Sequence, residues 1–114
     1  MLLIESITGA ARQQQRLVLP DGSLLLVRLS YKPQQYGWFI DEITNKEFTL
    51  NGLRITNNLN MLRQWKNLIP FGLACYTDGN REPTQQEDFL SGASALYLLS
   101  ADDVQAIEAY LAGG

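Results

Sequence analysis

The sequence predicts a mainly β domain: a small antiparallel barrel or sandwich of about seven strands, with a short crossover helix and a C-terminal α-helix. Short apolar or alternating segments recur between turn residues, and two of them form a clear hairpin over residues 13–31. A helical pattern is strongest after Ser100. With 114 residues the chain has the length of one domain, which can fold without disulfides or metals. We therefore expect one domain, with a β body over residues 1–99 and a helical extension over residues 100–114.

The hairpin is predicted by the turn sequence Leu-Pro-Asp-Gly-Ser at residues 19–23. Pro20 presets φ at the first turn position, and Gly22 accepts the left-handed conformation that closes a three-residue loop. This loop places Leu17 opposite Leu25 across the two strands. The face predicted to cover the core carries Leu17, Leu19, Leu25, Val27, Leu29 and Tyr31.

The opposite face of the hairpin is more apolar than an ordinary solvent face. It carries Arg16, Val18, Leu24, Leu26, Arg28 and Ser30. The aliphatic side chains of Leu24 and Leu26 predict that a second layer or a neighbouring subunit covers this side. Val18, Leu24 and Leu26 are therefore candidate partner contacts.

A further strand is predicted over residues 36–43, where apolar side chains alternate. Trp38 and Ile40 are expected on one side of this strand, and Phe39 and Ile43 on the other. Because both sides are apolar, we expect the strand to lie in the centre of a sheet. The remaining strands are predicted at residues 2–6, 47–55, 71–76 and 93–99, with a turn or bulge at Asn51-Gly52.

Helical signals before the C-terminus are ambiguous. Across residues 56–68, apolar residues spaced by three favour a turn or two of helix, whereas the Asn-rich opening favours an irregular crossover. Thr84 followed by Glu87 matches a capping box and predicts a brief helix.

The C-terminal helix has a clear start signal, because Ser100 is followed by Asp102 and Asp103. Its apolar stripe consists of Val104, Ile107, Tyr110 and Leu111. Such a stripe either packs on its own sheet or binds a partner. Tyr110 and Leu111 are therefore also candidate partner contacts.

The composition offers little material for catalysis. The chain has no histidine and one cysteine, so Ser-His, Cys-His and His-metal sites cannot be assembled from it. Asp41 and Glu42 are neighbours in a predicted strand and are expected on opposite faces, unlike the paired carboxylates of a glycosidase. We predict a non-enzymatic protein without cofactor or metal, in which Cys75 is an inert core residue.

Charge and hydropathy narrow the class of partner. The net charge is −3, and the nine basic residues are scattered along the sequence, whereas nucleic-acid binding needs them on one face. Charged residues form only 18% of the chain, which favours contacts with other proteins. The apolar residues 1–4 are too few for a signal peptide or a membrane span, so synthesis in the cytoplasm is expected.

A series of landmarks spans about residues 6–99 in a consistent order. They include Gly-Trp-Phe-Ile-Asp at residues 37–41 and Gly-Leu-Arg-Ile at residues 52–55. The others are the hairpin over residues 17–31 and the segments at residues 59–65, 71–73, 78–84 and 96–98. In this order and spacing the chain resembles the cyanophage baseplate plug family, small tail proteins of contractile-tailed phages.

The resemblance implies a virion component of the tail baseplate, an axial plug where the tail tube meets the hub, with no catalytic residues. It implies binding to tail tube, hub and tape-measure proteins, and we expect a homo-oligomer in the virion. Residues 100–114 extend past the family's closing strand, so the helix is expected to be an added interface. From the residues alone, a small OB- or SH3-like barrel that binds peptide or nucleic acid and a small enzyme remain as alternatives.

Overall fold

The computed structural model describes residues 1–46 and 48–113. The elements are β1 (Leu2–Leu3), β2 (Arg12–Val18), β3 (Leu24–Lys32), β4 (Gly37–Asn45), β5 (Phe48–Arg54), β6 (Gly72–Thr77), α1 (Asp88–Ser91), β7 (Ser94–Leu99) and α2 (Ala101–Leu111). Single 3-10 turns lie at Pro33–Gln35, Arg63–Trp65 and Asp78–Asn80. The predicted first residue of the 47–55 strand and the predicted last residue of the helical extension, 114, lie outside the described residues.

The described strands form two antiparallel sheets that face each other. One sheet has the order β2-β3-β4-β5, and the other has the order β1-β7-β6. The sheets are not closed into a barrel, so the predicted mainly β fold is confirmed in its sandwich form. The fully buried side chains between the sheets include Leu25, Val27, Leu29, Trp38, Ile40, Ile43, Ile55, Leu62, Phe71, Leu73 and Leu96.

The predicted hairpin is confirmed residue by residue. Leu17 pairs with Leu25, and the ladder continues without a shift from Val18 to Arg12. The backbone N–H of Leu19 donates to the carbonyl of Ser23 at 2.9 Å, which closes the three-residue loop. Gly22 has φ of +85°, the left-handed conformation that the turn requires.

Strand β4 is central, as predicted, but its predicted facing is wrong after Ile40. Leu29 pairs with Ile40 and Arg28 pairs with Glu42, so Asp41 is an extra residue in a β-bulge. The bulge changes the alternation by one residue, and Ile43 is fully buried in the core with Ile40. On the solvent side it brings Asp41 and Glu42 to the same face, which corrects the prediction that they point apart.

The two carboxylates on that face are held by different partners. Asp41 accepts a hydrogen bond from Ser30 Oγ at 2.9 Å, and Glu42 lies 3.3 Å from Arg28 Nη1. Gly52 lies across from the bulge on β5 and has φ of +75°. The irregularity predicted at Asn51-Gly52 is therefore part of one bend that crosses both strands.

The helices follow the predictions unevenly. Residues 56–68 are irregular except for the single 3-10 turn, so both interpretations of this segment are partly right. The predicted Thr84–Glu87 capping box is wrong, because α1 begins after Glu87 without a side-chain cap. At α2 the Ser100–Asp103 capping box is present in full.

Helix α2 forms a third layer on the outer side of the three-stranded sheet. Val104 is buried against Ala74 and Leu99, and Ile107 packs beside them. Tyr110 and Leu111 lie past this contact and are exposed. None of the helices within residues 1–46 and 48–113 is long and apolar enough to cross a membrane.

Candidate protein-binding surface

The side of β2, β3, β4 and β5 that points away from the core is a broad exposed surface, which we call the outer sheet face. The sequence predicted that a second layer or a neighbouring subunit covers it. No described helix or strand covers its corner at Val18 and Leu24, which are 67% and 52% exposed. The described residues therefore provide no second layer at this corner, and cover by a neighbouring subunit stays a prediction.

The apolar end of this face lies at the hairpin turn. Val18 and Leu24 are opposite each other on β2 and β3, and Leu26 is half-buried opposite Thr44. A cavity of about 190 Å³ connects Val18 to Leu2 and Leu98 at the edge of the other sheet. The three residues predicted as partner contacts on the hairpin therefore form one continuous aliphatic patch.

Basic residues are spread over the rest of the outer sheet face, from Arg16, which lies opposite Leu26, to Lys32 and Arg54 at the far end. Pairing between the strands brings five of the nine basic residues of the chain onto this side, although they are scattered in sequence. They are Arg12, Arg16, Arg28, Lys32 and Arg54. Two acids, Asp41 and Glu42, share the face with them, and Lys32 lies 4.0 Å from Asp41.

Phe39 lies between two of these cations. Lys32 Nζ is 4.7 Å and Arg54 Cζ is 5.2 Å from the centre of its ring. Arg54 also donates hydrogen bonds to the carbonyl oxygens of Gln35 and Tyr36 at 3.2 and 3.1 Å. Gly37 makes this position possible, because a Cβ there would lie 2.5 Å from Arg54 Nη2. These contacts hold Arg54 over the sheet instead of leaving it extended into solvent.

The two predicted contacts on the helix lie elsewhere. Tyr110 is 70% and Leu111 is 44% exposed, and both belong to α2, which covers the three-stranded sheet. They therefore belong to a different layer from the outer sheet face, although the first turn of α2, at Ser100 and Asp103, lines the same cavity as Val18. The five predicted contact residues form two separate surfaces.

The described titratable groups with shifted pKa values are buried or held by hydrogen bonds within the fold. In the described part of the chain, no three Cys, Asp or Glu side chains cluster as metal ligands would. Cys75 is buried, and burial raises the pKa of its thiol to about 11. Hydrogen bonds from Ser23 lower the pKa of Asp21 to about 2, and those from Arg63 and Lys66 lower the pKa of Glu108 to about 2. Both carboxylates are therefore ionised at neutral pH and act as hydrogen-bond acceptors.

The polar segment over residues 78–92 is held by contacts that the sequence did not predict. Asp88 is almost fully buried and accepts from Arg81 at 2.7 and 3.0 Å and from the N–H of Gln85 at 2.9 Å. Trp38 Nε1 and the Tyr31 hydroxyl donate to the carbonyls of Gln85 and Thr84. The sequence signal for these two hydrogen bonds is that a buried Trp or Tyr side chain needs a hydrogen-bond acceptor.

Comparison with known proteins adds no relationship from which function can be transferred. No protein-family model matches the chain, and no curated protein is significantly similar to it in sequence. The resemblance to baseplate plug proteins therefore stays a prediction, and the surface described above carries the functional argument.

Proposed function

We propose that this chain is a non-catalytic structural component of a phage tail baseplate, an axial plug at the junction of tail tube and hub. It acts by binding neighbouring protein subunits, and it forms a homo-oligomer in the virion. Its expected neighbours are the tail tube, hub and tape-measure proteins. The resemblance of the landmarks supports the location, and the exposed surfaces support the mode of action.

The observation that carries the proposal is the aliphatic patch of the hairpin, in which Val18 and Leu24 are exposed and Leu26 is half-buried. An exposed valine or leucine alone is ordinary in a folded protein. Here Val18 and Leu24 pair across two strands and form a contiguous patch, and Val18 also lines the cavity that reaches Leu2 and Leu98. A contiguous exposed apolar patch is typical of a surface that binds another protein subunit.

The location is tested by finding the chain in particles. Mass spectrometry of purified phage tails from the encoding genome should detect it in fixed stoichiometry with hub protein. Its gene should also lie beside those for tail tube, tape measure and hub. A gene with no tail genes nearby, or tails that lack the chain, would contradict the baseplate assignment.

The mode of action is tested by changing the patch. The double variant Leu24→Glu, Leu26→Glu should fold and fail to enter particles, because carboxylates are costly in a desolvated contact. Leu68→Glu is the matched control, since Leu68 is exposed and lies outside the patch. Normal particles containing the double variant would count against this use of the patch.

A second candidate is a small binding module for an extended peptide or a nucleic acid. It is favoured by one observation, the basic residues of the outer sheet face, with Phe39 between Lys32 and Arg54. This module predicts binding of a single-stranded oligonucleotide at about 50 mM salt that weakens steeply at about 200 mM. The net charge of −3 and the aliphatic patch favour protein as the partner.

A further inference from the structure

We propose that Asn51 is a site of spontaneous deamidation, through which the chain acquires a negative charge on the outer sheet face as it ages. The reacting group is the side-chain amide of Asn51, and the co-reactant is water. The proposal concerns the chemistry of the chain itself, so it does not depend on the proposed function. It rests on the sequence Asn51-Gly52 and on the place of these two residues in β5.

The reaction has two steps. The backbone nitrogen of Gly52 loses its proton to hydroxide and attacks Cγ of Asn51, so that a new C–N bond forms, the bond from Cγ to Nδ2 breaks, and ammonia leaves. The product is a five-membered succinimide ring. Water then adds to either carbonyl of the ring and opens it, which leaves aspartate or isoaspartate at position 51. Nothing is oxidised or reduced, and the chain gains one negative charge.

The glycine after Asn51 removes the main obstacle to the first step. A side chain on the following residue would crowd the attack of its nitrogen on Cγ, and glycine has none. Both Asn51 and Gly52 are exposed. No described heavy atom beyond Gly52 and its two neighbours in the chain lies within 4 Å of the position that a Cβ would take. The space around the reacting nitrogen is therefore open.

The N–H of Gly52 points to the open edge of the sheet. Strand β5 is the last in the order β2-β3-β4-β5. Ile55 donates to the carbonyl of Trp38 on β4 at 2.9 Å, and the ladder continues from this pair without a register shift. Successive residues of an antiparallel pair direct their N–H groups alternately toward and away from the partner strand. Counting back from Ile55, the N–H of Gly52 is directed away from β4, and no described hydrogen bond outside the ladder uses it.

Ring closure also requires a change in the backbone of Asn51, because an extended residue does not place its Cγ over the next nitrogen. Strand β5 must therefore leave β4 locally for a short time. Local opening of an element that is paired on one side only has a low free energy. The Asn51 side chain takes part in none of the described hydrogen bonds, so its amide is not held away from the nitrogen.

The other six asparagines lack this combination. Each is followed by a residue that carries a side chain. Asn67 is exposed and precedes Leu68, which makes it an internal comparison for Asn51. The remaining five use their side chains in hydrogen bonds within the fold, and they are Asn45, Asn57, Asn58, Asn60 and Asn80.

The products change the outer sheet face. Asn51 lies opposite Glu42, whose carboxylate is 3.3 Å from Arg28. An aspartate at position 51 places like charges opposite each other, which destabilises a strand pair, and it competes with Glu42 for Arg28. An isoaspartate adds one carbon to the backbone and disturbs the alternation of the residues that follow it. Both products reduce the excess of positive charge on this face.

The test follows the purified full chain by mass spectrometry during incubation in mildly alkaline buffer, where each deamidation raises the mass by about 1 Da. Trypsin cleaves after Lys46 and Arg54 and releases residues 47–54, in which Asn51 is the only asparagine. This peptide should gain mass and become a substrate for isoaspartate methyltransferase, whereas the tryptic peptide of residues 67–81 should not. Digestion is kept short, and unincubated chain is digested in parallel. Incubation in mildly acidic buffer should slow the reaction.

A synthetic peptide of residues 47–54 measures the reaction without the fold. We expect the rate at Asn51 in the folded chain to lie within about tenfold of the rate in the peptide, because an edge strand opens readily. A larger difference would show that the sheet protects Asn51 and would overturn the proposal. Asn67 reacting as fast as Asn51 would also overturn it.

Asn51→Gln is the matched control, because the longer glutamine side chain would have to close a six-membered ring. Circular dichroism checks that the variant folds. Its mass should stay constant during the incubation, and a gain equal to that of the wild type would assign the reaction to other residues and overturn the proposal. Asn51→Asp carries the new charge from the start. Its urea midpoint should lie below that of Asn51→Gln, and added salt should narrow the difference; equal midpoints at low salt would refute the effect on the outer sheet face.

Discussion

Replacing Arg81 should destabilise the protein more than replacing its partner, Asp88. The Asp88 side chain is 5% exposed, whereas that of Arg81 is 43% exposed. In Arg81→Met the carboxylate stays buried with the Gln85 N–H and without its cation, and we expect a loss of about 3 kcal/mol at pH 7. In Asp88→Asn the guanidinium can turn into water and the amide oxygen still accepts hydrogen bonds, so we expect a loss of about 1 kcal/mol.

The free energy of unfolding should depend on pH differently in the wild type and in Arg81→Met. The hydrogen bond from Arg81 is the largest influence that lowers the pKa of Asp88, and burial opposes it. The wild-type pair therefore contributes its stability above the unfolded pKa of about 4 and loses it as pH falls through the lower folded pKa. In Arg81→Met the largest lowering influence is removed and burial is opposed only by backbone hydrogen bonds such as that from the Gln85 N–H, so the folded pKa of Asp88 is higher than in the wild type. The gap in stability between the wild type and the variant should therefore grow as pH rises from the acid range, in which Asp88 is protonated in both proteins, toward neutrality.

Urea unfolding followed by tryptophan fluorescence measures these free energies, because Trp38 packs edge-to-face on Phe89 of α1. Arg28→Met is the matched control, since the Arg28–Glu42 pair is exposed and should contribute less than about 1 kcal/mol. Equal losses for Arg81→Met and Asp88→Asn, or a gap that does not change with pH, would refute the reasoning.

Three further predictions concern single sites. Gly72→Ala should cost about 1–3 kcal/mol in urea unfolding, because its Cβ would lie 2.5 Å from Oδ1 of the buried Asn60; an unchanged midpoint would mean that Asn60 moves freely. Ser100→Ala should lower the free energy of unfolding by about 1 kcal/mol in the same assay, because α2 loses its N-cap. Ser100→Thr should retain most of this stability, because threonine also caps helices. The Cys75 thiol should resist Ellman's reagent at pH 8 until urea unfolds the protein, since its pKa is about 11 and it is buried; rapid labelling of the folded protein would contradict this.

Sequence reasoning succeeded where neighbours in the chain determine the structure. The hairpin register follows from five turn residues, because loop length sets which residues pair and Gly22 supplies the required backbone conformation. The start of α2 follows from Ser100 and Asp103, whose side chains satisfy N–H groups within one turn. The same locality placed Val18, Leu24 and Leu26 on one face of the hairpin, where the structure shows the first two exposed and Leu26 half-buried. Tyr110 and Leu111 are exposed on α2, and the role of all five residues as partner contacts stays a prediction.

Tertiary contacts decided the features that depend on residues distant in sequence. The bulge at Asp41 follows from pairing with β3 and with Gly52 on β5, so strict alternation misplaced Ile43. Asp88, the first residue of α1, is held by Arg81 and by the N–H of Gln85, contacts that the Thr84–Glu87 pattern did not indicate.

The sequence alone determined a mainly β domain with one hairpin, one C-terminal helix and several aliphatic residues on the outer face of the hairpin. Only the tertiary structure decided that five scattered cations share one side of a sheet and that the apolar residues of the hairpin and of α2 lie on separate layers. The physical reason is that period-two alternation assigns each side chain to a face within its own strand, whereas strand order and sheet packing determine which faces meet.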